Sequence, residues 1–195
     1  MIYPVRRERF TFSDLFINEN ELARRLSVPE GYRSDAIEKA INEVSSAVLC
    51  RAVCTRAAIE INGSVISFGD IKVTSSALAK NLCGCGEALI FAVTLGNGVD
   101  RLLRQKSVLS ASEHFICDAV ASAMADAAAD KCNDIFTSGL RCKPRFSPGY
   151  GDLPLSFQRD IIRITDAEKT AGITLSEADL MIPQKSITAI IGILK

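Results

Sequence analysis

The chain has 195 residues, 48% of them apolar, and its 23 Lys and Arg are balanced by 23 Asp and Glu. This length and apolar share support one domain with a sizeable core, and the zero net charge argues against nucleic acid as a partner, because phosphate binding needs a basic surface. The longest apolar runs, residues 88–95 and 187–194, are too short to cross a bilayer, and the basic first ten residues lead into no apolar signal-peptide core, so a cytoplasmic protein is expected.

In chain order, Asn18 is placed to cap a short helix reaching Leu26, with Glu21 three residues on, the spacing of a capping box. Residues 29–32 connect it to a second helix. There Asp35 and Glu38 read as the box, and Ile37, Ile41, Val44 and Val48 form one apolar face. Residues 1–34 are therefore set apart as an N-terminal helical appendage to a main domain over 35–195. Ala58, Ile59 and Ile61 precede Asn62-Gly63, and Val65, Ile66 and Phe68 follow it. That pattern predicts a β-hairpin turning on Asn-Gly, since both residues tolerate positive φ. A short helix over 75–82, a buried strand over 88–95 and a helix over 99–105 come next. Ser110 and Glu113 then open a long alanine-rich helix to about Phe136, which Gly139 stops. Beyond it the pattern gives a helix over 156–164 and short strands at 173–175, 180–182 and 187–193. Helices and strands intermix, so the expected class is α+β, a mostly antiparallel twisted sheet with packed helices.

The seven cysteines, Cys50, Cys54, Cys83, Cys85, Cys117, Cys132 and Cys142, are odd in number and irregularly spaced, which fits no disulfide scaffold and no zinc ribbon. They read as free thiols that pack like small hydrophobes. Cys83 and Cys85, flanked by glycines, stay open as a strand entry or an exposed redox pair. His114 is the single histidine, so a His-His metal site is excluded. No G-x-S-x-G, Walker A, G-x-G-x-x-G or H-E-x-x-H run occurs, and no catalytic residue is nominated.

The most informative stretch is RFSPGYGDLPLS, residues 145–156. Arg145 offers a planar fork of donors suited to a carboxylate. Pro148-Gly149 reads as the centre of a type II turn, and Tyr150 adds a flat ring with a polar tip. Arg145, Ser147, Pro148, Gly149 and Tyr150 together suit a small zwitterion; an ordinary surface loop is the alternative. Asp126, Asp130 and Asp134 recur every four residues on the long helix, so they share a face. They form a solvated acidic stripe, or one of them points toward Arg145.

Arg145, Pro148, Gly149 and Tyr150, followed by Gly172, Leu175, Glu177, Met181, Pro183 and Ser186 in order, resemble the activation domain of cobalamin-dependent methionine synthase over about the last fifty residues. Residues 94–103 and the alanine-rich helix resemble the small stand-alone members of that family. The resemblance implies the same α+β fold and S-adenosylmethionine as the ligand. It would be held by Arg145, Ser147, Pro148, Gly149, Tyr150, Asp126 (Asp130 as runner-up), Glu177 and Ser186. Arg145 would meet the ligand carboxylate, the acids its ammonium and sulfonium, and Tyr150 the sulfonium region. Cobalamin would be carried by a partner, a corrinoid-binding methionine synthase lacking its own activation domain or another corrinoid protein. The chain would support reductive methylation of cob(II)alamin there in trans, with a flavodoxin-like or other electron donor. The family also implies a tyrosine-containing strand after Ser186, whereas this chain stops at Lys195. That departure keeps open a non-catalytic docking or assembly module for a corrinoid protein, without S-adenosylmethionine. A redox or metal protein built on Cys83 and Cys85 is a third reading.

Overall fold

The computed structural model describes residues 2–3 and 5–194. Among the described residues six strands form one antiparallel sheet. Its centre is β2 (Cys50–Asn62), β5 (Cys85–Thr94) and β8 (Ser186–Leu194). Strands β1 (Arg6–Phe10) and β3 (Val65–Phe68) follow one another along the edge of β2 away from β5, and β4 (Ile71–Thr74) extends β3 outward. Strands β6 (Thr174–Leu175) and β7 (Met181–Ile182) form a separate small hairpin.

Helices cover both faces of the sheet, which explains the unbroken apolar run 88–95 in β5: a strand buried on both sides has no polar face to alternate with. On one face Leu89, Phe91 and Val93 pack with Cys50, Ala52 and Cys54 of β2 and with Ala189, Ile191 and Ile193 of β8. The helix α5 (Ala111–Thr137) lies against that face, and α1 (Glu19–Leu26), α2 (Asp35–Ala47) and α4 (Asn97–Leu109) pack against α5 in the same core. On the other face Ala88 and Ile90 meet Ala57, Ile59, Ile66, Phe68 and Ile190. There they are covered by α3 (Ser76–Asn81), α6 (Gln158–Thr165) and the buried Leu153 and Phe157. The short α7 (Ala167–Ala171) closes over Val53 and Ala92.

Local details depart from the expected elements. Asn62 pairs with Val65, so the hairpin loop is Gly63-Ser64 rather than Asn62-Gly63. Gly63 alone takes positive φ there, at +61°, which is the φ pattern of a type II′ turn with glycine first. Ser34, not Asp35, caps α2. Its backbone is extended and its hydroxyl accepts from the Ile37 N–H at 3.3 Å, while Asp35 is the first helical residue. Strand β2 starts at Cys50, well before the alternating residues 58–61; Arg51, Thr55 and Arg56 interrupt the apolar pattern of its first half and hide it in the sequence. Residues 1–34 contribute a strand as well as a helix. Phe10 of β1 and Leu22 and Leu26 of α1 belong to the same core as α2 and α5.

The outer edge of β8 is covered by the segment 141–146. The Lys143 N–H donates to the Gly192 carbonyl and the Phe146 N–H to the Ile190 carbonyl, both at 2.8 Å, and Ile190 returns a bond to Phe146. This pairing occupies backbone groups that an open edge would leave exposed. It also carries the chain from the end of α5 to Arg145.

Candidate functional site

The segment after Phe146 folds into consecutive tight turns. The Ser147 carbonyl accepts from the Tyr150 N–H at 3.1 Å, and Gly149 sits at φ +88°. This is the type II turn expected of Pro-Gly. The Tyr150 carbonyl then accepts from the Leu153 N–H at 3.0 Å, and the Gly149 N–H donates to the Leu153 carbonyl at 2.9 Å. Leu153 itself is buried in the core. The Tyr150 ring is 59% exposed and meets the edge of Phe146 with centroids 5.9 Å apart.

Beneath this turn lies an open cleft of about 660 Å³. One wall is the turn, with Arg145, Ser147, Pro148 and Tyr150. Asp126 of α5 and Ser186, Ile187 and Thr188 of β8 form the base. Leu155 and Gln158 come from the start of α6, and Ser176, Leu180, Met181 and Ile182 from the small hairpin.

Most of the residues nominated from the sequence thus converge. Asp126, Arg145, Ser147, Pro148, Tyr150 and Ser186 line the cleft, and Gly149 shapes the turn behind it. Glu177 does not join them. It is exposed on the bend between β6 and β7, and its main-chain carbonyl accepts from the Arg159 guanidinium at 3.1 Å. The Ser186 hydroxyl is buried and donates to the Pro183 carbonyl at 2.6 Å.

The acids divide between two arginines. Asp130 pairs directly with the Arg145 guanidinium. Asp126 accepts from Arg25 of α1 at 2.6 Å, and Arg25 is held in turn by Glu21 at 3.0 Å. Arg25 lies a hundred residues from Asp126 in the chain, and no local signal pointed to it. Gln158 and Thr188 were missed for another reason: Gln158 is one of three consecutive polar residues at the start of α6, and Thr188 is a single polar residue inside an apolar run. Gln158 is 4% exposed. Its amide donates to the Asp179 carbonyl at 2.8 Å and accepts from the Thr188 hydroxyl at 3.4 Å. It therefore ties the small hairpin to α6 and β8.

Asp152, also unforeseen, accepts from the Ser75 hydroxyl and from the Ser76 and Ala77 N–H groups at 2.8 and 3.0 Å. These donors, the Ser75 hydroxyl first, hold its carboxyl at about 2, well below the usual carboxylate range.

Outside the cleft, Cys83 and Cys85 border a separate groove with Lys80 and Ile61. All seven thiols are free. Burial pushes Cys50 and Cys54 up to about 12 and raises Cys132 as well, so these behave as inert packing groups. Among the described residues no group of His, Cys, Asp and Glu could hold a metal ion, and no helix is long and apolar enough to cross a membrane. No histidine, cysteine or lysine lines the cleft among those residues. Arg145 and Asp126 give the cleft one cationic and one anionic side chain.

The molecule is thus an α+β protein with an antiparallel sheet covered on both faces, and its cleft lies between a Pro-Gly turn and a small hairpin. The chain has the fold seen in a crystal structure of the MetH reactivation domain bound to AdoHcy. The two share a TM-score of 0.74 at 15% sequence identity, over 97% of this chain and 78% of that one. No protein-family profile and no curated protein sequence matches this chain.

Proposed function

We propose that this chain binds S-adenosylmethionine in the cleft under the Pro148-Gly149 turn. There it supports, in trans, the reductive methylation of cob(II)alamin on a partner corrinoid protein, such as a methionine synthase lacking its own activation domain. The observation that carries this reading is the position of Arg145, on the wall of the cleft with Asp130 and Asp126 as acidic neighbours. The similar fold that holds AdoHcy, the demethylated form of the same ligand, adds weight.

The residues fit the ligand. The cleft volume lies within the range of small-molecule sites. Asp130 engages one nitrogen of Arg145, and the guanidinium has five N–H donors in all, so the fork can also receive a carboxylate. Asp126 offers negative charge to an ammonium or sulfonium group. Tyr150 presents a ring face, and Leu155, Ile182 and Ile187 give apolar surface to the rest of the molecule.

The ligand would supply the methyl group, and the partner's corrin, reduced by an external donor such as a flavodoxin-like protein, would receive it. This chain's residues do less. Arg145 and the acids fix the amino-acid end. The turn and the hairpin bound the space and limit water. No general acid or base is required of this chain, because the cofactors supply the reactivity and the protein supplies position.

Leu180 (60% exposed) and Ile182, Leu155 and Tyr150 ring the cleft mouth, an apolar rim suited to a protein surface. That rim also favours the second reading, a docking module for a corrinoid protein without bound S-adenosylmethionine. Calorimetry separates the two. The first reading expects wild-type binding that Arg145→Ala weakens by about 2–5 kcal/mol, about thirtyfold or more. Equal affinities would remove Arg145 from the site, and a wild-type protein that retains a corrinoid partner but no ligand would favour docking.

A further inference from the structure

We infer that Asp152 is the positioning residue of this cleft: its carboxylate clamps the turn that carries Tyr150 onto the first turn of α3. The inference rests on the ligand-binding reading above.

The two sides of the loop are held differently. Arg145 stands next to Phe146, whose backbone is bonded in both directions to Ile190 of β8. The sheet therefore places Arg145. Among the described residues Tyr150 bonds to no sheet strand; its backbone bonds run only to Ser147 and to the buried Leu153. It and its neighbours Gly149, Gly151 and Asp152 are exposed. Tyr150 also ends one β-turn and begins the next, so any swing of residues 149–152 displaces it.

Beyond the bonds to Leu153, what opposes that swing is the contact with α3. The Ser75 hydroxyl that donates to Asp152 belongs to a buried side chain, which also accepts from the Leu78 N–H at 3.0 Å. The donor is thereby fixed in direction. The Ser76 and Ala77 N–H groups at 2.8 and 3.0 Å are helix-start donors without intrahelical partners. Between them and the turn, Gly151 at φ +55° lies so close that an added Cβ would stand 2.8 Å from the Ala77 Cβ. Backbone and helix are thus in contact. The carboxylate of Asp152 is the polar link across that contact, two residues from the ring it positions.

The test uses the full chain with AdoHcy as probe. Calorimetry, amide hydrogen exchange and tyrosine ring resonances are measured on wild type, Asp152→Ala and Asp152→Asn. We expect Asp152→Ala to bind about tenfold more weakly, with Asp152→Asn between the two, because Asn keeps one acceptor oxygen. The Tyr150, Leu153, Ser76 and Ala77 amides should exchange faster in Asp152→Ala, while β5 keeps its protection. The Tyr150 ring resonances, set by the Phe146 edge, should move. Because the sheet places Arg145 independently, the losses of Arg145→Ala and Asp152→Ala should add in the double variant. A loosened turn with unchanged affinity would reduce Asp152 to a helix cap. Weaker binding with no loosening would overturn the clamp. Absence of AdoHcy binding by the wild type would overturn the proposed function and the ligand half of this inference, while the exchange data would still report whether Asp152 fixes Tyr150.

Discussion

Arg25 and Arg145 each pair with one acid of α5, Asp126 and Asp130, so both carboxylates have a cation before any ligand enters. Spacing showed that Asp126 and Asp130 share a helical face. It did not show which arginine each would meet, because Arg25 arrives from the far end of the chain. Asp152 makes the same point. In sequence it is one more polar residue in a glycine-rich turn, and its role appears only when α3 is packed beside it. Its depressed carboxyl gives a pH prediction with a definite sign. The folded value is about 2 against an ordinary 3.8, so the clamp is fully formed above about pH 4. It is lost as the pH falls from there through about 2. Carbon-detected titration of the Asp152 carboxyl, read together with Ser76 and Ala77 amide exchange, should show both changes in that window. A midpoint near 3.8 would mean that the donors do not hold the charge.

At the scale of the element, the long helix α5 shows what composition alone can specify. Its alanines at 121, 128 and 129 are buried against the sheet and the neighbouring helices, because a small side chain lets backbones approach closely. The sequence predicted this helix with its Ser110 cap and its length, and the structure runs it from Ala111 to Thr137 with the Ser110 hydroxyl accepting from the Glu113 N–H. Ala128→Leu should overpack this contact and lower stability by about 1–3 kcal/mol. Urea unfolding would show a lower midpoint at unchanged slope, whereas an unchanged midpoint would mean that the helix has room to shift. The strands were less legible. β5 and β8 stood out as continuous apolar runs. The first half of β2 did not, because Arg51, Thr55 and Arg56 alternate with its buried Cys and Ala residues. Strand β1 was missed outright, since RRERF carries almost no apolar signal and is made a strand by the partner it pairs with.

For the whole molecule, the N-terminal segment is part of the body. β1 pairs along its whole length with β2, α1 packs Leu22 and Leu26 into the main core, and Arg25 reaches Asp126 of α5. Deleting residues 1–34 should therefore uncover the apolar face of α2 and α5 and leave Asp126 without its arginine. We expect the truncated chain to lose cooperative thermal unfolding and to bind an apolar dye such as ANS. A truncated chain that unfolds cooperatively near the wild-type temperature would show instead that residues 35–194 form a self-sufficient unit.

The amino-acid sequence by itself determined the α+β class, the long helix, the central strands and the Pro-Gly turn, because each rests on short-range periodicity or on the φ limits of one or two residues. It also singled out Arg145 and Tyr150, which the structure places on the wall of one cleft. Only the tertiary structure decided that Asp130 rather than Asp126 meets Arg145, that Arg25 holds Asp126, that Gln158 lines the cleft, that Glu177 stands outside it, and that Asp152 ties the turn to α3. Those facts depend on segments far apart in the chain meeting across a sheet, and the direction in which a polar side chain points is set by the partner it finds there.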